Sequence, residues 1–307
     1  RPSSYMALSL KIGLLTSFTC KKILIKRLKE LFTYIDSIED LEFLNQELNH
    51  KSFVGVDTEF RRTTKDNMKL ALLQINDLEE IYLIDPVLIG DPKGKCDFLF
   101  SDSVTKIFHS CKEDIEAVYS WTGQVMVNLF DTQLAEAFLD GHYSIGYQGL
   151  VEQKLGITVD KGETRSNWIR RPLTDSQLNY AASDVEFLID LYEDQKQALI
   201  ESNKLLWHDE ELKFLSSRIF SPNIQADETC KGLTKAEEKN LLNKFHEIVL
   251  NISEAEEINP TLFFSKKSQK DFLRLTFSEG IEEASNKITD WRAGLIFDPL
   301  SDILQEY

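Results

Sequence analysis

The stretch KSFVGVDTEF, residues 51–60, limits the possible folds more than any other part of the chain. It runs through an apolar segment typical of a buried strand and ends on two acids, Asp57 and Glu59, that stand two residues apart. Side chains at positions i and i+2 of a strand point to the same face, so these carboxylates project together. A solvated strand end is one explanation. The alternative is a pair of acids in a cleft, whose repulsion a cation must offset.

The elements around this strand predict an α/β fold with a mixed sheet. Ser37 and Asp40 resemble the start of a helix, and two further strand-like runs, KLALLQI and EIYLID, follow FVGVDTEF with NDLEE as a turn between them. Strands that follow one another closely are usually antiparallel. The order then changes to a strand, TKIFHS, followed by a helix in which Ser110 and Glu113 resemble a capping box.

Helical periodicity dominates the rest of the chain. Helices are predicted over DTQLAEAFL, YQGLVEQKL and one long segment, DSQLNYAASDVEFLIDLYEDQKQALI, with Pro172 and Thr174 before its start. Strand patterns stop after about residue 202. We therefore expect a basic N-terminal extension at residues 1–34, an α/β domain at 35–202 and a small helical domain at 203–307.

Charge and cysteine content narrow the classes of function. The net charge is −16 over 307 residues, which argues against a broad electrostatic grip on long duplex nucleic acid. The four cysteines contain no C-x-x-C pair, so neither zinc nor a disulfide framework is indicated, and a cytoplasmic location is predicted.

The first 29 residues differ from the rest, because they carry seven Lys or Arg and no acid. A secretory signal, a basic arm or targeting segment, and an extension without function are the alternatives. The apolar run IGLLTSFTC has about half the roughly 20 residues that a membrane span needs, so no membrane association is expected.

Further acids downstream match the first pair in chemistry. Tyr180 and Asp184 stand four apart on a predicted helix and so face one direction, and Asp114 falls in the first turn of the helix that follows TKIFHS. Chance spacing and helix-dipole complementarity are the simpler explanations. Together, however, these oxygen ligands favour Mg²⁺ or Mn²⁺, and two such ions serve in-line attack on a phosphodiester.

Three segments taken in order carry a family resemblance: VDTEF, FHSCKED and YAASD. They resemble the motifs of DEDD-superfamily 3′-5′ exonucleases, in the DEDDy branch whose third motif has Tyr four residues before Asp. More narrowly, FDTQLAEAFL, GYQGLVEQKLGI and DKGETRSNWIRRPLTDSQLNYAASDVEFL resemble the ribonuclease D family, and the resemblance covers residues 35–200. It implies a ribonuclease-H-like fold.

The resemblance also implies roles for five residues. Asp57, Glu59 and Asp184 would hold the ion that activates water, and Asp57 with Asp114 would hold a second Mg²⁺ or Mn²⁺ ion. Tyr180 would orient the attacking water. The implied reaction is hydrolysis from the 3′ end of RNA with release of 5′ mononucleotides.

Substrate contacts are expected near these acids. Thr58 and Phe60 lie in a neighbourhood that touches the terminal base and sugar in similar enzymes, although Phe60 is equally consistent with the core. His109 is a candidate contact to the terminal nucleotide, or simply the end of its strand. Asp131, in FDTQ, is interpreted as a helix cap.

A basic cluster surrounds an aromatic residue in KGETRSNWIRR. Arg165 and Trp168 are the candidates for phosphate and base contact there, with Lys161, Arg170 and Arg171 nearby. Packing in the core is the alternative for Trp168.

Residues 203–307 carry weaker signals. GLTKAEEKNLLNKFHEIVL and the segment after it resemble the helicase-and-RNase-D C-terminal (HRDC) domain, a helical module that assists nucleic-acid binding. We expect a monomer that trims RNA 3′ ends such as those of tRNA precursors. A DNA 3′-5′ exonuclease and a non-catalytic RNA-binding protein on the same fold are the alternatives.

Overall fold

A computed structural model describes residues 32–64, 67–139, 143–159, 162–163, 166–220, 230 and 232–306. The predicted basic extension therefore lies outside the described residues except at its last three positions. Within the described ranges, no helix is long and apolar enough to cross a membrane.

A mixed sheet forms the centre of the α/β part, as predicted. Its strands are β1 (Thr33–Ile35), β2 (Phe53–Thr64), β3 (Asn67–Asn76), β4 (Ile81–Ile84), β5 (Thr105–Phe108) and β6 (Leu129–Asp131). They lie in the order β1-β4-β3-β2-β5-β6. The pairs β2–β3 and β3–β4 are antiparallel, and the others are parallel. The strand β1 is not in the sequence prediction, because three residues are too few to show alternation, and it begins two residues before the predicted domain start.

Helices cover both faces of the sheet and make up the C-terminal part. They are α1 (Ile38–Leu48), α2 (Pro86–Ile89), α3 (Lys112–Thr122), α4 (Thr132–Leu139), α5 (Tyr147–Leu155), α6 (Asp175–Val185), α7 (Leu188–Glu201), α8 (Leu205–Arg218), α9 (Lys235–Ala255), α10 (Pro260–Phe264), α11 (Lys266–Glu279), α12 (Ile281–Ser285) and α13 (Asp290–Leu304). The segment predicted as one long helix is therefore two helices, α6 and α7.

Two of the three predicted helix starts are correct. The Ser37 side chain accepts from the Asp40 backbone N–H at the start of α1, and Thr174 forms a capping box with Gln177 at the start of α6. The predicted capping box at Ser110 is wrong. Ser110 has a left-handed φ of 67°, and α3 begins without a side-chain cap from its own N-terminal residues.

The alternation along β2 separates two apolar layers. Val54 and Val56 pack with α1 and α3 on one face, in a cluster that includes Leu41 and Ile115. The opposite face, which carries Gly55, Asp57 and Glu59, lies against α6 and α7, where Val185 and Leu188 belong to a second cluster. The two carboxylates therefore emerge beside a packed helix pair.

The described residues after 203 are helical, as predicted, and pack against the α/β part. Trp291 of α13 stacks on Trp207 of α8 with ring centroids 5.0 Å apart, and meets Phe138 of α4 edge-on at 5.4 Å. The Glu211 carboxylate accepts from Trp291 Nε1 at 2.7 Å and from Arg292 Nη1 at 2.6 Å. The division at residue 202 and the HRDC resemblance stay predictions.

Candidate active site

Three of the predicted carboxylates converge on one face of the sheet, inside β2 rather than at its end. Asp57 and Glu59 come from β2 and Asp184 from α6, and one oxygen of each lies within 4.8 Å of the other two. All three side chains are half-buried. The two acids that β2 carries on one face therefore lie next to a third acid from α6.

A glycine lets the helices come close to β2. A Cβ on Gly55 would lie 3.2 Å from Leu188 Cβ and 3.5 Å from the Val185 carbonyl oxygen. Contacts near 3.2 Å require the neighbouring residue to shift. The absence of a side chain two residues before Asp57 thus sets the distance between β2 and the end of α6, and with it the position of Asp184.

Two side chains stabilise the break between α6 and α7. Asn76 Nδ2 donates to the carbonyl oxygens of Val185 at 2.9 Å and Glu186 at 3.1 Å. Tyr147 Oη donates to the Ser183 carbonyl at 3.1 Å and accepts from the Phe187 N–H at 3.1 Å. These side chains form hydrogen bonds with backbone groups that an uninterrupted helix would pair internally. The helix α6 therefore ends at Val185, the residue after Asp184.

Asp114 approaches the site from α3. It is buried, and its carboxylate accepts from Thr58 Oγ1 at 2.5 Å. It is not part of the three-carboxylate group, but its charge acts on Asp57 and Glu59. Thr58, predicted to contact substrate, is itself buried, and its hydroxyl is committed to Asp114.

The start of α3 is held by Asp131. Its carboxylate accepts from the backbone N–H groups of Ser110 at 2.9 Å and Cys111 at 2.8 Å, and from those of Gln133 and Leu134 at the start of α4. The interpretation of Asp131 as a helix cap is confirmed, and it serves two helices.

Burial raises the pKa of all four acids, and neighbouring carboxylates add to this at Asp57 and Glu59. Burial, and then the charges of Asp114, Asp184 and Glu59, raise the pKa of Asp57 well above its usual range. Burial, followed by Asp184 and Asp114, raises the pKa of Glu59 to about 9. Burial raises the pKa of Asp114 and of Asp184 to about 7, while hydrogen bonds from Thr58 and Tyr180 respectively oppose these shifts. This arrangement of acids is unfavourable at neutral pH unless a cation joins it.

Tyr180 lies beside Asp184, as its spacing predicts. The two side chains share a hydrogen bond, and burial, followed by Asp184, raises the pKa of the Tyr180 hydroxyl. Trp168 is 4% exposed, with its ring centroid 6.2 Å from that of Tyr180. The structure therefore favours the packing alternative for Trp168, because its buried ring offers no free face to a base.

The other predicted contacts have different outcomes. His109 lines the cavity, but its ring nitrogens lie 2.9 Å from Thr132 Oγ1 and from the Ile145 carbonyl oxygen. Phe60 packs against the apolar cluster on the α1 and α3 face, which favours the core alternative. Arg165 lies outside the described residues.

Arg171 is not available for phosphate contact. Its guanidinium binds the buried Asp85 carboxylate through Nε and Nη2 and donates to the Ala71 carbonyl oxygen at 2.7 Å. The basic cluster of the sequence is therefore partly structural, because this residue anchors the loop before α6 to the sheet.

A cavity of about 600 Å³ opens over the acids. Beside Asp57, Glu59, Asp184 and Tyr180 it is lined by α5, including Tyr147. Sequence reasoning missed Tyr147 and Asn76 as supports of the site. A signal was present in GYQGL, a segment of the family resemblance, but the partner of each residue lies on a distant part of the chain.

The donor set fits a hard divalent cation. Only carboxylate oxygens converge, and no ion pair links Asp57, Glu59 or Asp184 to a lysine or arginine of the described ranges. Oxygen-only ligands favour Mg²⁺ or Mn²⁺ over zinc. The three acids could hold one ion, and Asp57 with Asp114 could bind another.

A mixed sheet that gathers acids from a strand and a facing helix under an open cavity is the arrangement expected of the metal-dependent class of nucleases. Residues 32–199 match the family model described as 3′-5′ exonuclease. The chain belongs to this 3′-5′ exonuclease family, and its ribonuclease D-like character is confirmed.

Curated relatives named ribonuclease D share sequence with the α/β part. The protein from Shewanella sp. (strain ANA-3) is 35% identical over 195 residues, which cover 63% of this chain and 50% of that protein. The Haemophilus influenzae protein is 44% identical over 142 residues, covering 46% of this chain and 36% of that protein. The chain thus spans half or less of the length of these relatives.

The fold is also found in solved structures. Escherichia coli RNase D, described as an exoribonuclease involved in structured RNA processing, superposes with a TM-score of 0.59 at 23% identity. The match covers 87% of this chain and 75% of that one. It supports the fold, including the helical C-terminal part.

The raised pKa values predict how stability depends on pH. In the unfolded chain these acids have pKa values of about 4, whereas in the folded chain Glu59 titrates at about 9 and Asp114 and Asp184 at about 7. The folded state therefore binds more protons between these limits, so the unfolding free energy of metal-free protein should fall as pH rises from about 4 to about 9. Thermal denaturation in the presence of a chelator measures this.

Millimolar Mg²⁺ or Mn²⁺ should raise the unfolding midpoint more at the alkaline end of that window, because the ligands must lose their protons to bind. Asp57→Asn should make the unfolding free energy of metal-free protein fall less steeply with pH, since it removes one of the repelling charges. A metal-free midpoint that increases steadily across the window would contradict the assignment of the repulsion to this cluster.

Proposed function

We propose that this protein is a metal-dependent 3′-5′ exoribonuclease that removes 5′ mononucleotides from RNA 3′ ends. The observation that carries the proposal is the convergence of Asp57, Glu59 and Asp184 within 4.8 Å, with no basic side chain of the described residues paired to them. The names of the curated relatives support RNA as the polymer. Structured RNA ends such as those of tRNA precursors are the proposed substrates.

Each acid has a proposed role at the scissile phosphate. Asp57, Glu59 and Asp184 would hold one Mg²⁺ or Mn²⁺ ion, and Asp57 with Asp114 a second. Bound there, such ions would lower the pKa of an attacking water and stabilise the leaving oxygen. The Thr58 hydroxyl fixes the rotamer of Asp114, and Tyr147 and Asn76 fix the helix end that carries Asp184.

Tyr180 is proposed to orient the attacking water. Its hydroxyl lies beside Asp184 at the cavity wall, and its raised pKa keeps it protonated at neutral pH. A protonated hydroxyl can donate to, or accept from, a water held in line with the phosphorus atom. Trp168 packs behind Tyr180 and supports the position of its ring.

Two further proposals concern the compartment and the oligomeric state of the protein. The described cysteines, Cys96, Cys111 and Cys230, are free and buried, which is consistent with a reducing compartment, and we propose the cytoplasm. A monomer remains our prediction for the oligomeric state.

Matched RNA and DNA oligonucleotides of one sequence test the function. With Mg²⁺ or Mn²⁺ we expect 5′ mononucleotides from RNA with a free 3′ end, and no product when a 3′ phosphate blocks that end or a chelator removes the metal. Faster digestion of DNA would favour the DNA exonuclease alternative. No mononucleotide from either polymer with either metal would favour a non-catalytic RNA-binding protein.

Tyr180→Phe should lower the rate of cleavage about a hundredfold, which is the lower end of what a positioned proton donor or acceptor contributes. The ring that packs near Trp168 is retained, so the folded state should persist. Single-turnover cleavage measures the rate, and calorimetry with Mn²⁺ checks that metal still binds. A rate within about twofold of the parent would remove Tyr180 from the proposed mechanism.

A further inference from the structure

Gln74, on the central strand β3, has a side chain that the fold leaves without partners. It is fully buried, with 0% exposure, and neither Nε2 nor Oε1 makes a hydrogen bond within the described residues. Buried amides are normally hydrogen-bonded, because an unpartnered one loses its contacts to water without replacement. A group of this kind calls for an explanation in the function of the molecule.

The sheet register places Gln74 directly opposite Asp57. In the antiparallel β2–β3 pair, Asp57 faces Gln74, just as Gly55 faces Asn76 and Glu59 faces Leu72. Directly opposed residues of an antiparallel pair point to the same face, with Cβ atoms about 4.5 to 5.5 Å apart. The Gln74 side chain therefore projects on the face that carries the acids, under α6.

Two other neighbours of Gln74 in the sheet do not offer a free polar group. Leu83 faces it from β4 and is fully buried. Asn76, two residues along on the same face, already donates to Val185 and Glu186 and accepts from the Leu78 N–H. Among these sheet neighbours, Asp57 is the polar residue that the register places directly across from Gln74.

We propose that Gln74 is a positioning residue: when a divalent cation is bound by Asp57, Glu59 and Asp184, its amide N–H donates to the Asp57 carboxylate and orients that carboxylate toward the cation. The inference rests on the metal site of the proposed function. Carboxylates that bind metals are commonly held by such outer hydrogen bonds, and loss of one typically weakens metal binding about 10- to 100-fold. In this role Gln74 would touch neither the metal nor the substrate.

A purely structural role makes a different prediction for metal binding. If Gln74 only fills space, an apolar residue of similar volume removes an unpartnered polar group, so stability stays constant or rises and metal binding does not change. The positioning role predicts the same unchanged or higher stability together with weaker metal binding. Stability and metal affinity must therefore be measured on the same variants.

The experiment compares Mn²⁺ binding to the metal-free full chain with its urea denaturation midpoint. We expect Gln74→Leu and Gln74→Met to bind Mn²⁺ about 10- to 100-fold more weakly by calorimetry, with a midpoint equal to or above that of the parent. Gln269→Leu is the matched control. That buried amide, on α11, donates to the Phe264 carbonyl at the end of α10 at 2.9 Å, so its loss should lower the midpoint and leave Mn²⁺ affinity unchanged.

The outcomes distinguish failure of the positioning role of Gln74 from failure of the proposed exonuclease function. Mn²⁺ affinity within about twofold of the parent in either folded Gln74 variant would overturn the positioning role and leave the metal site intact. Failure of the parent protein to bind Mn²⁺ would instead overturn the proposed function itself. Two apolar variants of different shape are used so that poor folding of one does not decide the result.

Discussion

Replacing Asp184 with asparagine is expected to abolish exonuclease activity while leaving the protein folded. The variant keeps the shape of the side chain but removes one of three converging carboxylates, and the amide cannot supply the same negative charge to a cation. We expect the rate to fall by about a thousandfold or more, equivalent to about 4 kcal/mol of transition-state stabilisation. The measurement is single-turnover release of mononucleotides from an RNA with a free 3′ end.

A control on the same helix separates a lost ligand from a disturbed helix. Asp175, the first residue of α6, is exposed and away from the acids, so Asp175→Asn should change the rate by less than about twofold. Because Asp184→Asn also relieves repulsion, the metal-free variant should unfold at a higher temperature than the parent above pH 7. Substantial activity in folded Asp184→Asn protein would contradict the role of Asp184 as a metal ligand.

The largest effect on stability is expected from Asp85→Ala. The Asp85 carboxylate is fully buried and binds Arg171 through two nitrogens, accepts from Tyr34 Oη, and accepts the N–H groups of Val87 and Leu88 at the start of α2. Its loss leaves a guanidinium buried without its counter-charge. We expect a loss of about 3 to 5 kcal/mol in the free energy of unfolding, measured by urea denaturation.

Asp91→Ala is the matched control for this prediction. Asp91 is exposed and accepts one backbone bond, from the Lys93 N–H at 2.9 Å, so its loss should cost less than about 1 kcal/mol. The double variant Asp85→Leu with Arg171→Leu should recover part of the lost stability, because it removes both charges together. Equal unfolding free energies for Asp85→Ala and the parent would show that Asp85 does not hold this part of the sheet.

Much of the fold was predictable from local patterns. The apolar run around Val54 and Val56 is typical of a buried strand, and the turn after Asn76 joins two strands by a short polar segment. The positions of the acids were also predictable from local patterns. The strand period brings Asp57 and Glu59 to one face and the helical period brings Tyr180 and Asp184 to another, so each pair could be read without tertiary information.

The parts that could not be predicted depend on distant partners. The end of α6 at Val185 lies inside a strongly helical segment, and the break is stabilised by Asn76 and Tyr147, which lie 109 and 36 to 40 residues away in the chain. Arg171 stands in a basic cluster, but its counter-charge lies 86 residues earlier. A sequence pattern shows which functional groups are present, whereas tertiary packing determines which distant residue each group contacts.

Asp131 has a consequence for how mutational scans of this protein would be interpreted. Its single carboxylate accepts four backbone N–H groups that start α3 and α4, and its own backbone lies 3.2 Å from His208 Nε2 of α8. In a scan scored by activity alone, substitutions there would rank with those of the converging acids. Scoring cellular abundance beside activity would separate them, because loss of Asp131 should deplete the protein, whereas loss of Asp184 should leave an abundant, inactive one.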